Sequence, residues 1–239
     1  RFPRSTIAAT YVDPMFPFTG NYDAYGVDMA AWIYLPASTD ESTDTTSYRT
    51  LLDIHQRGQK LTSTRIEWDV VSWGMTNRYP TSYADAAARG FDGEALTLPW
   101  DSQQLWFCSH QELFDDYVRW QIREQALSGG ARPDLFLLDS QTSTPMTYHY
   151  GGCFCDACSE DFRAWMALQY SGAELSAMGI PEIGNWNYHQ HLVDEGYELS
   201  SYEAAVTSWP NAIPLAEDYR RFQLEWLNQY VRDLIDYVR

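Results

Sequence analysis

Four cysteines carry the strongest chemical signal in the sequence. Three of them form a C-x-C-x2-C cluster and the fourth lies upstream; the set is Cys108, Cys153, Cys155 and Cys158. Four thiolates in a tetrahedron are a preferred ligand shell of structural zinc. Gly151 and Gly152 precede the cluster and allow the backbone to wrap closely around an ion. The spacing therefore predicts a structural Zn2+ site that leaves no open catalytic position.

Two other interpretations of the cysteines stay open. Two disulfides would use all four residues, but closely spaced C-x-C residues make strained pairings. Free thiols, one of them a catalytic nucleophile, are the third interpretation, and no histidine occupies an evident supporting position. The sequence shows no secretory signal, and a reduced thiolate shell favours a cytoplasmic protein.

The elements that position these cysteines alternate between strands and helices. Predicted strands cover Thr6–Asp13, Asp28–Leu35, Lys60–Trp73 (running out into a loop) and the apolar segment Asp134–Asp139; predicted helices cover Tyr48–Arg57, His110–Ser128 and Asp218–Val238; Thr76–Trp100 is a long connection. The segment Asp134–Asp139 is apolar enough to be buried on both faces, as in parallel sheets covered by helices. The pattern indicates an α/β fold with about four strand units.

The charge balance limits the partners. The 239 residues include 33 acidic and 16 basic residues, for a formal net charge of −17, and Lys60 is the sole lysine. So acidic a surface repels phosphate backbones and anionic lipids, which argues against nucleic-acid and membrane partners. No stretch approaches the roughly 18 apolar residues of a membrane span. Scarce lysine with abundant carboxylates favours a protein of a salt-adapted organism, and an ordinary acidic enzyme is the alternative.

The region from about residue 100 to 190 resembles glycoside hydrolase family 42, the zinc-containing β-galactosidases. The segment Gly151–Gly172 reads Gly-Gly-Cys-Phe-Cys-Asp-Ala-Cys-Ser-Glu-Asp-Phe-Arg-Ala-Trp-Met-Ala-Leu-Gln-Tyr-Ser-Gly and is similar to that family's C-Y-C-x-x-C-x-x-x-F-R-x-W pattern. Cys108, just ahead of a predicted helix, matches the setting of the family's upstream zinc ligand.

The resemblance implies a fold, a reaction and an assembly. It implies a (β/α)8 TIM-barrel, retaining hydrolysis of terminal β-galactosides or related sugars, a carbohydrate substrate, and a homotrimer in the full-length protein. We expect residues 1–239 to be the N-terminal half to two-thirds of the barrel domain, truncated at both ends. On that expectation, the nucleophilic carboxylate comes from a later strand outside these residues.

The candidate catalytic residues depart from the family pattern. Asp139 ends the last predicted strand, and Ser140 and Gln141 follow it, at the position where barrel enzymes place catalytic groups. The family carries Asn-Glu there, and the alignment puts Gln141 at the general acid/base glutamate. Glutamine cannot donate a proton to a leaving glycosidic oxygen. Three interpretations follow: Asp139 is the acid, a carboxylate from another strand is the acid, or the protein is a non-catalytic carbohydrate-binding relative.

Further residues are candidates for contacts with a sugar. Trp68, Asp69 and Trp73 lie near the end of the third predicted strand, and aromatic faces stack on sugar rings. Ser140, Gln141 and His149 would supply polar contacts. The alternative for both tryptophans and for His149 is ordinary core or loop packing. The alternative for Asp139 is a role in capping a turn. A zinc-stabilised structural domain with an unrelated function is the third interpretation of the chain.

Overall fold

The computed structural model describes most of the chain as strands, helices and short connections. The described residues are 9–11, 29–34, 46–67, 72–99, 101–128, 130, 132–139, 147–148, 151–207 and 213–239. The strands are β1 (Ala9–Tyr11), β2 (Met29–Tyr34), β3 (Leu61–Glu67), β4 (Thr97–Leu98), β5 (Asp101–Leu105) and β6 (Leu135–Asp139). The helices are α1 (Thr46–Arg57), α2 (Ser72–Arg78), α3 (Glu112–Trp120), α4 (Asp156–Gln169), α5 (Gly172–Ala177), α6 (Tyr188–Asp194), α7 (Leu199–Val206) and α8 (Ala216–Val238). A π-helical segment, Gln121–Leu127, continues α3, and 3-10 turns cover Tyr83–Ala86 and Ile183–Asn185.

The chain divides into two compact units, each built from two segments. The sheet unit comprises Arg1–Pro80 and Asp116–Ser140. The cysteine unit comprises Thr81–Asp115 and Gln141–Arg239 and contains all four cysteines.

The sheet unit is built on a parallel four-stranded sheet. Its strand order is β1-β2-β3-β6, and every neighbouring pair is parallel. Helix α1 lies against β2 and β3, with Leu52 and Ile33 fully buried. The register pairs Glu67 of β3 with Asp139 of β6, so these two residues stand side by side at the carboxyl ends of their strands. The α/β architecture and the four parallel strands predicted from the sequence are confirmed.

Two local predictions in the sheet unit are wrong. The strand predicted to start near Lys60 is confirmed as Leu61–Glu67, but Trp73, expected in the loop that follows it, belongs to helix α2. Strand β6 is less buried than its apolar sequence indicates, because Leu135 is 42% exposed and Phe136 is half-buried. The reason is its position at the edge of the described sheet, where β3 is its hydrogen-bonded neighbour.

The cysteine unit has an aromatic core between α4 and α8. Phe162 of α4 is fully buried, with ring centroids 5.2 Å from Tyr188, 4.9 Å from Tyr219 and 5.3 Å from Phe222. The predicted C-terminal amphipathic helix is confirmed as α8, whose buried face includes Tyr219 and Phe222. Among the described residues, no helix combines the length and apolarity needed to cross a membrane.

The predicted long connection Thr76–Trp100 is more ordered than expected. Its small residues Ala86–Ala88 are fully buried, because they pair with the segment just before Cys108. Ala88 donates its amide hydrogen to Trp106 O (2.7 Å), and the Cys108 amide donates to Ala86 O (2.9 Å). These bonds fix the backbone that carries the upstream cysteine.

Candidate metal centre

The four cysteines meet in one buried cluster. All four sulfur atoms lie within 4.8 Å of one another, and each cysteine is at most 4% exposed. The Sγ atoms of Cys108 and Cys158 are 3.2 Å apart, and those of Cys108 and Cys155 are 3.7 Å apart. All four are free cysteines, and these separations exceed the S–S bond length of about 2.0 Å. The structure therefore brings together the four predicted residues as thiols.

Helix α4 begins at the cluster. Cys155 is its N-cap residue, and its sulfur accepts a hydrogen bond from the Cys158 amide (3.5 Å). The positive end of a helix dipole stabilises a thiolate at this position. The C-x2-C spacing thus places two sulfurs at the first turn of a helix, one as the cap and one on the turn itself.

The Thr81–Asp115 segment holds Cys108 and also reaches the C-x-C loop. The Arg89 amide donates a hydrogen bond to Cys153 Sγ (3.4 Å), and the Arg89 carbonyl accepts one from the Phe154 amide (2.9 Å). Gly90 and Gly152 form an antiparallel bridge beside these bonds. Backbone N–H groups that point at sulfur offset the negative charge of a thiolate.

The two glycines before the cluster have specific structural roles. Gly151 has a φ of +91°, a region that favours glycine. A Cβ on Gly152 would lie 2.7 Å from Arg89 O and 2.5 Å from Leu96 Cδ1. Both glycines therefore permit a tight turn of the backbone, and Gly152 is required by the close approach of the Arg89 backbone. That this turn wraps around an ion stays a prediction.

The thiols differ in acidity. Burial raises the pKa of Cys108 and that of Cys158 well above the usual thiol value. Hydrogen bonds from the neighbouring cysteines, Cys108 first, lower the pKa of Cys155. Because zinc binds thiolates, a divalent cation that enters the cluster must displace protons from Cys108 and Cys158.

Helix α8 contributes two polar contacts to the cluster. The Tyr219 hydroxyl donates a hydrogen bond to the Cys153 carbonyl. Gln223, one turn further along the helix, donates from Nε2 to Cys158 Sγ (3.8 Å). Both residues are buried, so the same face of α8 that packs in the aromatic core also reaches the cysteine loop.

His110 connects Gln223 to helix α4. Its Nε2 lies 3.3 Å from Gln223 Oε1, and its Nδ1 lies 2.7 Å from Asp161 Oδ2. Its ring stacks on Trp226 with centroids 4.0 Å apart. A chain of hydrogen bonds thus runs from Asp161 through His110 and Gln223 to Cys158.

The donor set fits a tetrahedral thiophilic ion. With zinc–sulfur bonds of about 2.3 Å, the sulfurs of a tetrahedral site lie about 3.8 Å apart. The separations of 3.2 and 3.7 Å and the 4.8 Å limit bracket that value. Four sulfur ligands leave no position for water or substrate, so the arrangement suits an ion that holds chain segments together.

The predicted sugar-site residues fall largely outside the described part of the chain. The backbones of Asp139 and Trp73 are described, in β6 and α2. The other predicted sugar-site residues lie outside the described ranges; they are Trp68, Asp69, Ser140, Gln141 and His149.

The fold and the cysteines define an α/β protein with a four-thiol cluster suited to a metal ion. The chain is 28% identical over 232 residues to an α-agarase of Thalassotalea agarivorans, covering 91% of this chain and 15% of that protein. It is 29% identical over 137 residues to an α-agarase of Alteromonas agarilytica, covering 56% of this chain and 9% of that protein. The chain thus spans a small part of the length of the curated relatives that it matches.

The fold is also similar to part of a solved enzyme. The crystal structure of a β-galactosidase from the psychrophilic Marinomonas ef1 matches 97% of this chain and 35% of its own, with a TM-score of 0.63 and 15% sequence identity. No protein-family model matches the chain. The mixed helix and sheet architecture is therefore one that occurs within a β-galactosidase.

Sequence reasoning missed the residues that surround the cysteines. The contacts of Arg89 and Gln223 with cysteine sulfur were not predicted, nor were the hydrogen bonds that join Asp161 and His110 to Gln223. One signal was present, because Gln223 follows Tyr219 and Phe222 on the apolar face of a predicted helix. A polar residue on a buried face requires a hydrogen-bonding partner.

Proposed function

We propose that this chain is part of a glycoside hydrolase acting on galactose-containing glycans, with one structural zinc ion bound by its four cysteines. The observation that carries the activity is the similarity to an α-agarase along 91% of the chain. The fold shared with a β-galactosidase supports the same class of enzyme. Agar is built from galactose units, so both names concern one class of sugar.

The proposed architecture is a (β/α)8 barrel whose N-terminal half to two-thirds is residues 1–239. The parallel order β1-β2-β3-β6 supports it, because barrel strands are adjacent in chain order. Zinc, when bound, would join the segment that carries Cys108 to the loop and helix that carry the other three cysteines. In this proposal the ion is structural and takes no part in hydrolysis.

Asp139 is the proposed proton donor. It stands at the carboxyl end of β6, in register with Glu67 of β3, and this end of the strands is where barrel enzymes place catalytic groups. The Asp139 carboxyl would transfer its proton to the glycosidic oxygen as the bond to the anomeric carbon breaks. A carboxylate from a later strand would attack that carbon, as retaining enzymes require.

The sugar contacts are proposed for the segments that follow β3 and β6, including the start of helix α2. Stacking on an aromatic ring would come from Trp68 and Trp73, and polar contacts would come from Asp69, Ser140, Gln141 and His149. The support is their sequence position after parallel strands, where α/β barrels bind substrate.

A non-catalytic carbohydrate-binding protein is the second candidate. The observation that favours it is Gln141, which stands where the resembling family has its acid/base glutamate. Such a protein would keep the fold, the metal cluster and the sugar contacts while lacking hydrolysis.

The test measures hydrolysis by the full-length protein containing this chain. The substrates are agarose oligosaccharides and an aryl β-galactoside, and new reducing ends or the released aryl alcohol give the rate. We expect Asp139→Asn to lower the rate by about 10²-fold or more, as loss of a general acid does. Asp134→Asn is the matched control, because Asp134 lies just before the same strand and accepts hydrogen bonds from the Thr62 amide (2.8 Å) and hydroxyl (2.9 Å).

Each outcome separates the candidates. Hydrolysis that Asp139→Asn removes and Asp134→Asn retains supports the enzyme. Saturable sugar binding without hydrolysis, with hydrolysis gained in Gln141→Glu, supports the non-catalytic relative. If the protein neither binds nor hydrolyses either sugar, both candidates are refuted and a zinc-stabilised structural domain is left.

The setting of the protein is also part of the proposal. Four reduced thiols suit a reducing compartment, which supports the cytoplasm. The excess of 33 acidic over 16 basic residues supports salt adaptation. The homotrimer stays a prediction, which sedimentation of the full-length protein would test.

A further inference from the structure

Gln223 is a fully buried polar residue whose two amide atoms have different partners. It lies on the buried face of α8 and is 0% exposed. Buried amides in proteins are almost always hydrogen-bonded, because an unmet polar group costs free energy. Its Nε2 is 3.8 Å from Cys158 Sγ, and its Oε1 is 3.3 Å from His110 Nε2.

The cysteine sulfur sets the orientation of this amide, because a metal-bound thiolate can only accept a hydrogen bond, and contacts on two sides fix the His110 ring beside it. The ring is fixed on one side by the Asp161 carboxylate at 2.7 Å and on its face by Trp226 at 4.0 Å. A turned amide would point its oxygen at sulfur, and two electron-rich acceptors repel each other. The N–H group of Gln223 therefore faces the cysteine sulfur.

We propose that Gln223 is a positioning residue of the metal centre, which donates a hydrogen bond to the Cys158 thiolate and thereby strengthens zinc binding. The inference rests on the proposed zinc site and goes beyond it by assigning a non-ligand residue on α8. Four thiolates and one Zn2+ carry a net charge of −2 in a buried site, so an N–H donor offsets charge that no solvent can screen. Replacing a residue that hydrogen-bonds to a metal ligand typically weakens metal affinity by about 10- to 100-fold.

The experiment compares the same substitution at two positions of helix α8. Gln223→Glu keeps the size of the side chain and the oxygen near His110, and it replaces the donor facing sulfur with an acceptor. Gln229→Glu is the matched control, because Gln229 is exposed and its Nε2 donates to Asp233 (2.8 Å) on the helix surface. Gln223→Met, a second variant, removes the donor without adding charge.

Two measurements on the full-length protein that contains this chain test the inference. Zinc affinity is measured by competition with a chromophoric chelator, and we expect a loss of about tenfold or more for both Gln223 variants and less than about twofold for Gln229→Glu. The Co2+-substituted protein gives the second readout. Removing an N–H donor makes sulfur more electron-rich, so its thiolate-to-cobalt charge-transfer band moves to longer wavelength in Gln223→Met, which altered packing alone would not cause.

The outcomes distinguish this inference from the metal site itself. Wild-type affinity and an unchanged cobalt band in folded Gln223→Met overturn the role of Gln223 and leave the zinc site standing. Equal losses in Gln229→Glu overturn it as well, because charge on the helix would then suffice. A wild-type chain that binds neither Zn2+ nor Co2+ overturns the proposed metal centre, and the role of Gln223 fails with it.

Discussion

Replacing Gly152 with alanine should damage the cysteine cluster without touching a ligand. The new Cβ would lie 2.7 Å from Arg89 O and 2.5 Å from Leu96 Cδ1. The leucine methyl can move, but the Arg89 backbone is held, since its carbonyl accepts from Phe154 and its amide donates to Cys153 Sγ. Overpacking of this kind costs about 1–3 kcal/mol. That range corresponds to a loss of about fivefold to 150-fold in an equilibrium constant.

The assay for Gly152→Ala is zinc competition together with urea unfolding of the zinc-loaded chain. Gly172→Ala is the control, because no atom lies within 4 Å of a Cβ placed on Gly172 at the first position of helix α5. We expect Gly172→Ala to leave zinc affinity unchanged and to stabilise the chain by at most about 1 kcal/mol. If Gly152→Ala matches wild type in both measurements, the close approach of the Arg89 backbone does not constrain the cluster, and our reasoning about this loop is refuted.

Three other expectations can be checked on the same chain. Chelation of zinc should expose four thiols per chain to a thiol reagent and lower Tm, and four reactive thiols before chelation would contradict the zinc site. The apparent zinc affinity should rise with pH, because burial raises the pKa of Cys108 and Cys158 and protons compete with the ion. Burial raises the pKa of Tyr48 to about 12, so this residue ionises first in the unfolded chain and should by itself lower the free energy of unfolding by up to about 1.4 kcal/mol per pH unit between pH 10 and 12. The fall measured for Tyr48→Phe should be smaller by that amount, and equal slopes would rule out this residue. Raising KCl to 1 M shortens the screening length to about 3 Å and should raise the Tm of this chain of net charge −17; NaCl should act alike, and a rise in sulfate alone would indicate solute exclusion instead.

The sequence revealed features whose cause is local. The C-x-C-x2-C spacing predicted that the cysteines meet, because an ion needs a complete ligand set and Cys108 was the sole cysteine left to complete it. The period of the last helix predicted α8, because an amphipathic pattern repeats over many residues. The parallel sheet followed from apolar segments alternating with helices.

Features set by tertiary neighbours stayed hidden. His110 and Gln223 are 113 positions apart in the chain and meet through a hydrogen bond, and no periodicity links such residues. The partial exposure of Leu135 depends on the place of β6 in the sheet, which its own residues do not specify. Trp73 belongs to a short helix, and no capping pattern in the sequence indicates where that helix begins.

The cysteine unit is discontinuous, and its metal ligands come from both of its pieces. Cys108 belongs to Thr81–Asp115, the other three cysteines follow Gln141, and Asp116–Ser140 runs through the sheet unit between them. A bound ion would therefore link two segments of one unit that are separated in the sequence, and the link would be reversible. If a protease cut the backbone once between the two pieces, they should elute together while the ion is bound and separate more readily once it is chelated. A split version of this protein would thus report on metal occupancy by whether its two halves stay together.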